Sequence, residues 1–144
     1  LPIFFHNTLA SSDYGFLARE VFDPRPNYFA VLLWNRLMGA TVFDTKEPVR
    51  YGAHVYAHSR KDGKEGLVYL VINNSLEEAT QVELPKEAEV YMLAGEGGNM
   101  RASVMTLNGT PLVLGENNEV PAMDPVKAEG MLEVAPGSCA FIVL

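Results

Sequence analysis

A chain of 144 residues, 48% hydrophobic and 20% charged, has an ordinary globular composition and enough length for one real core. Its net charge of −7 argues against nucleic acid or an anionic membrane surface as the main partner, since both demand clustered Lys and Arg. Cys139 stands alone, which excludes an internal disulfide and a cysteine-based metal site, and its apolar setting in Ser138-Cys139-Ala140-Phe141-Ile142 predicts a buried filler.

The chain opens on Leu1-Pro2-Ile3-Phe4-Phe5, without an initiator Met, a charged leader or a signal-type cleavage site. Domains rarely begin inside their own core, so the expectation is the C-terminal piece of a longer polypeptide. Ile3 to Leu9 read as a short strand, and Ser11-Ser12-Asp13-Tyr14-Gly15 as a loop of small and polar residues. The stretch Phe22 to Gly39 reads as one helix. Asp23-Pro24 or Arg25-Pro26 opens it, because proline tolerates the first turn, with Asp23 or Asn27 available as cap and Gly39 closing it. Tyr28, Phe29, Val31, Leu32, Leu33, Trp34, Leu37 and Met38 wrap it in apolar surface well beyond a single stripe. It is too short for a membrane span of roughly 20 residues, so protein is expected to cover it. Strand, loop and buried helix make one β/α unit, whose loop lines the ligand side in α/β barrels.

After Gly39 the pattern turns strand-like. His54 to His58, a turn at Asp62-Gly63 and Leu67 to Asn73 predict a hairpin whose second strand is buried on both faces. Further short strands are predicted at Thr80–Leu84, Glu89–Leu93, Ser103–Leu107, Pro111–Leu114, Met131–Val134 and Cys139–Leu144, with a long surface loop over 115–130. Asn108-Gly109 is the sharpest turn signal, because a type I′ turn needs positive φ at both central positions. Short strands at this spacing predict an antiparallel β-sandwich.

Chemistry is sparse. His54 and His58 share a strand face but stand roughly 13 Å apart along it, and His6 belongs to another element, so a metal site is not predicted. The sequence contains no Gly-x-Ser-x-Gly, no Walker loop and no His-Glu-x-x-His. The Gly95-Glu96-Gly97-Gly98 run opens no helix and reads as a plain turn, and the scattered glutamates read as solvated surface. Asn73-Asn74-Ser75 and Asn108-Gly109-Thr110 match the short glycosylation pattern. The best ligand-facing candidates are Ser12, Asp13, Tyr14 and Gly15: small residues let a ligand approach backbone N–H groups, and Tyr14 offers a hydroxyl on a rigid ring, a combination suited to a sugar or carboxylate. The plain reading of the same stretch is a βα turn.

The runs Asp13-Tyr14-Gly15-Phe16-Leu17, Pro26-Asn27-Tyr28-Phe29 and Leu32-Leu33-Trp34-Asn35-Arg36-Leu37-Met38-Gly39 resemble the C-terminal part of heparanase-like enzymes of glycoside hydrolase family 79. Val55-Tyr56-Ala57-His58, Leu107-Asn108-Gly109-Thr110-Pro111-Leu112 and Pro136-Gly137-Ser138-Cys139-Ala140-Phe141 extend the resemblance over nearly the whole chain. It implies that residues 1–40 are the last strand, loop and helix of a (β/α)8 catalytic barrel and residues 41–144 a C-terminal β-sandwich. It also implies retaining cleavage of β-glucuronosyl linkages by two glutamates on earlier barrel strands. The chain itself then carries no catalytic residue and no cofactor; its partners are the N-terminal barrel chain of the same precursor and a glucuronic-acid-containing saccharide, in a secreted or periplasmic setting. By the same resemblance Tyr14 contacts the uronic acid carboxylate. Ser11-Ser12 replace a common glycine pair, Asp13 a common Asn, and His6-Asn7 an Arg-Gln pair. An ionised Asp13 repels a uronate unless paired or turned away, and the scarcity of positive charge favours glucuronosyl oligosaccharides or conjugates over a highly sulfated chain. The competing expectation is a stand-alone carbohydrate-binding or adhesion sandwich, which would have to expose Phe29, Leu33 and Trp34; a structural fragment stable only in complex is the third.

Overall fold

A computed structural model describes residues 8–48 and 51–144. The expected strand Ile3–Leu9 lies mostly outside these residues, and Thr8 and Leu9 are not in a strand. The chain is mostly antiparallel β-sheet with one α-helix.

Helix α1 spans Pro26–Leu37, so of the two proline openings the second is used. Proline sits in the first turn after an extended Arg25, and no side chain caps the N-terminus. Asp23 and Asn27 therefore do not cap; Asn27 Nδ2 instead reaches the Tyr14 carbonyl. Gly39 does not close the helix either. The helix ends at Met38, whose N–H donates to the Trp34 carbonyl, and the chain runs straight into β1 (Met38–Phe43). Gly39 serves a close approach instead, because a Cβ there would overlap Ser59 on the neighbouring strand.

Strand β1 pairs with β2 (Ala53–Arg60), β2 with β3 (Leu67–Asn73), and β3 with β8 (Cys139–Val143), which pairs in turn with β4 (Thr80–Gly95). Beyond β4 lie β5 (Met105–Leu107) and β6 (Thr110–Pro111) at one end, and β7 (Val126–Val134) along the rest. Every pairing is antiparallel, within one continuous sheet of eight strands. The two stretches expected as separate strands, Thr80–Leu84 and Glu89–Leu93, are one strand with a break between them. Leu84 pairs with Gly130 and Ala88 with Ala128, so residues 85–87 bulge opposite Glu129. Pro85, which has no N–H to give to the ladder, stands in that bulge. The expected loop over 115–130 ends early, since β7 begins at Val126; its first residues are mostly exposed and show no alternation to reveal a strand. Strand β1 was hidden for the same reason: after Met38 it is an exposed edge. The Asn108-Gly109 turn is as expected, with φ of 49° and 83°.

Period-two alternation sorts the core into two clusters on opposite sides of β3, β8 and β4. One side gathers Val68, Leu70, Phe141, Val143, Tyr91 and Leu93 with Phe29 and Leu33 of the helix. The other gathers Val71, Ala140, Ile142 and Val90 with Leu84, Ala88 and Val134, brought over by the bulged β4–β7 ribbon. The helix is thus held by the sheet. Phe29 and Leu33 are each 1% exposed, which corrects the expectation that this chain alone would leave them open. Trp34, at 39%, does stand at the surface, edge-on to the His58 ring at 5.0 Å.

Candidate functional site

The loop Thr8–Gly15 is folded by its own short polar side chains. The Thr8 and Ser11 hydroxyls are 2.7 Å apart, and the Ser11 N–H donates to Thr8 Oγ1 at 3.1 Å. The Gly15 N–H donates to the Ser12 carbonyl at 3.2 Å, and the Leu17 N–H to the Leu9 carbonyl at 2.9 Å. Gly15 is buried here, and a Cβ on it would meet the Leu9 carbonyl oxygen at 2.7 Å, so a larger residue would push the loop apart. The result is a tight turn that holds Tyr14 outward at 61% exposure.

The loop is fastened to the start of α1. The Arg25 N–H donates to the Phe16 carbonyl at 2.8 Å, its guanidinium Nη1 donates to the Asp13 carbonyl, and Asn27 Nδ2 donates to the Tyr14 carbonyl at 3.3 Å. Between loop and helix, residues 17–24 make a small hairpin, with Leu17 bridged to Pro24 and the Ala18 N–H bonded to the Asp23 carbonyl at 2.8 Å. At its tip Val21 and Phe22 are exposed, and Phe22 has a φ of 60°, an uncommon conformation for a bulky side chain. Among the described residues three buried side-chain atoms have no hydrogen-bond partner, Ser12 Oγ, Arg25 Nε and Asn27 Oδ1, and all belong to this loop and its fastening. Beside them opens a cavity of about 590 Å³ between Asp23–Pro26 and the segments Ala102–Val104 and Leu112–Leu114.

The four expected site residues, Ser12, Asp13, Tyr14 and Gly15, therefore belong to one ordered turn, with Tyr14 presented and Gly15 buried. Arg25 and Asn27 were not legible as site residues: their side chains reach back 12 and 13 residues, a distance no local pattern encodes. His6 lies outside the described residues, and His54 and His58 each meet a separate partner. His58 Nδ1 lies 2.8 Å from the Gly39 carbonyl, and His54 Nε2 lies 3.0 Å from Asn74 Nδ2. Among the described residues no group of three or more His, Cys, Asp or Glu is placed to hold a metal. Cys139 is partly buried, packed against the helix-side cluster, and burial pushes its thiol up to about 11, which keeps it protonated and unreactive. The two glycosylation-type asparagines are spent on structure. Asn73 Nδ2 donates to the carbonyls of Glu78, Val134 and Ala135 at 2.8, 3.0 and 3.3 Å, and Asn108 Nδ2 to those of Val90 and Asp124 at 3.1 and 3.3 Å.

Tyr14 thus stands exposed on an ordered turn. The chain is 33% identical, over 98% of its length, to baicalin-β-D-glucuronidase of Scutellaria baicalensis. It is 27% identical over 99% to heparanase-like protein 2 of Arabidopsis thaliana, and 26% identical over 100% to hyaluronoglucuronidase of Hirudo nipponia. It spans 28%, 33% and 32% of those three proteins. No family model matches the chain. An arabinofuranosidase crystal structure superposes on 64% of the chain and 19% of its own length with a TM-score of 0.37 and 25% identity. Over nearly its whole length the chain is thus similar to glucuronidases and heparanase-like proteins. No helix among the described residues is long and apolar enough to cross a membrane.

Proposed function

We propose that this chain is the C-terminal part of a retaining glycoside hydrolase that cleaves β-glucuronosyl linkages, exo- or endo-acting. Residues 1–40 complete a (β/α)8 barrel and residues 41–144 form a β-sandwich domain against it. The two catalytic glutamates lie on the N-terminal part, and the assembled enzyme works in a secreted or periplasmic setting. The carrying observation is the likeness to a β-D-glucuronidase over 98% of the chain, loop and helix included. The retaining reaction needs two carboxyl groups about 5 Å apart across the scissile bond, one protonating the leaving oxygen and one attacking the anomeric carbon.

In this reading the loop's work is recognition. Tyr14 donates its hydroxyl to the uronate carboxylate, and the open turn formed by Ser12, Asp13 and Gly15 lets the sugar come close to the backbone. A hydrogen bond to a charged group contributes about 1.5–3 kcal/mol, enough to select a glucuronide over a neutral sugar. Scarce positive charge on this part fits glucuronosyl oligosaccharides or conjugates. The test is the native mass of the purified protein together with hydrolysis of 4-nitrophenyl β-D-glucuronide by the same sample. Activity that follows a larger assembly, and a KM raised about tenfold by Tyr14→Phe, support the reading. A folded, monomeric, inactive 15.8 kDa chain overturns it in favour of a stand-alone carbohydrate-binding module. One observation favours that alternative: the sheet buries Phe29 and Leu33 without outside help.

A further inference from the structure

The carbonyls of two consecutive residues in the candidate site are each tied to a side chain at the start of α1. Arg25 Nη1 donates to the Asp13 carbonyl, and Asn27 Nδ2 to the Tyr14 carbonyl at 3.3 Å. The first carbonyl belongs to the peptide plane before the Tyr14 Cα and the second to the plane after it. Peptide planes are rigid, so holding both leaves the two backbone dihedrals of Tyr14 little freedom. Its exposed ring is then aimed through the backbone that carries it.

Helix formation does not ask for these bonds. Arg25 flanks the helix with no side-chain cap, and the opening turn is made by proline. Among the described residues Asn27 Oδ1 is buried without a partner while Nδ2 is used on the loop, and Arg25 Nε is buried without a partner while Nη1 is used on the loop. An unpaired buried polar atom is costly, and both residues carry one while aimed at the same turn. Two unfavourable placements that converge on one loop point to the loop as their purpose.

We propose that Arg25 and Asn27 are positioning residues that set how tightly the uronic acid is held, by fixing the backbone on both sides of Tyr14. This rests on the reading of the loop as a uronate contact. The substrate class it sharpens is the terminal or internal β-glucuronide whose carboxylate meets Tyr14, because a small rotation of that backbone swings the tyrosine hydroxyl at the far end of the ring through a much larger arc.

The experiment uses the whole hydrolase and compares Asn27→Leu, which keeps the shape and removes the donor, with Arg25→Met and Arg25→Lys. The readouts are KM and kcat for 4-nitrophenyl β-D-glucuronide, and inhibition by D-glucuronate. Asn27→Leu and Arg25→Met should raise KM and the glucuronate inhibition constant together by about threefold to tenfold, with a smaller change in kcat, and Arg25→Lys should recover part of the loss. A purely structural role reduces only the amount of folded enzyme: kcat would fall while KM and inhibition stayed put, and the proposal would be overturned. If Tyr14→Phe raises KM and these variants do not, the positioning role is wrong and the uronate contact stands. If Tyr14→Phe also leaves KM unmoved, the contact itself is wrong and the positioning role falls with it.

Discussion

Residues 8–37 and the sheet that follows them treat buried polar groups in opposite ways. In the sheet, β3 and β8 are buried on both faces, and side chains such as Asn73 and Asn108 are saturated with partners. In the first region the helix buries Phe29 and Leu33 but shows Val31 and Trp34, the loops show Leu9, Tyr14, Val21 and Phe22, and buried Ser12 Oγ, Arg25 Nε and Asn27 Oδ1 have no partner among the described residues. Buried polar atoms left unmet are costly, and their gathering in the loop-and-helix region is what the proposed barrel edge and substrate contact would account for.

The difference can be attacked from either side. The largest effect is expected where the two regions join: Phe29→Ala should cost about 3–5 kcal/mol and Leu33→Ala about 2–5 kcal/mol, read by denaturant unfolding, because each empties a site closed by both helix and sheet. A loss below about 1 kcal/mol at both would mean that the helix is not held by this sheet. Next comes the sheet's polar anchor. Asn73→Ala removes a donor shared among three carbonyls and should destabilise by about 1–3 kcal/mol in the same assay.

Trp34→Ala sharpens the contrast, since among the described residues nothing covers its outward face, which is 39% exposed. In the isolated chain the loss should be about 1 kcal/mol, the worth of its edge-on ring contact with His58. In the assembled hydrolase the loss should be clearly larger, and equal losses in the two settings would refute a covered helix. The smallest effect lies farthest from the junction. Arg60 donates to both oxygens of Asp62 at 3.0 and 2.7 Å, and this bond, more than the Lys64 contacts, lowers the exposed carboxyl from 3.8 to about 2. A folded-state value below the unfolded one means that the pair stabilises above about pH 4 and that its contribution disappears as pH falls through about 2. Asp62→Asn should therefore lower stability by a constant amount above pH 5 and flatten the profile between about pH 4 and 2.

Much of the fold was legible because local rules and tertiary packing agreed. Pro26 opened α1, Asn108-Gly109 turned β5 into β6, and the run from Leu67 to Asn73 became a strand covered on both faces. The misses share one cause, which is a residue whose role depends on a partner far along the chain. Gly39 resembles a helix terminator and is in fact the place where β1 crowds Ser59. Pro85 divides β4 into two apparent strands, and only the pairing with β7 restores one. Within the candidate site, Tyr14 and its small neighbours stood out by type and resemblance, whereas Arg25 and Asn27 looked like helix-start residues until their reach to the loop was seen.

By itself the sequence determined the elements that depend on near neighbours, namely the proline-opened helix, the primed hairpin turn and the apolar strands, together with the family likeness carried by Leu32-Leu33-Trp34-Asn35-Arg36-Leu37-Met38-Gly39. Only the tertiary structure decided which face of the helix the sheet takes, how β4 bends over its own sheet, and which side chains hold the loop behind Tyr14. Those choices rest on contacts between residues far apart in the chain. Their worth depends on what else is packed there, and that is set only when the whole domain closes.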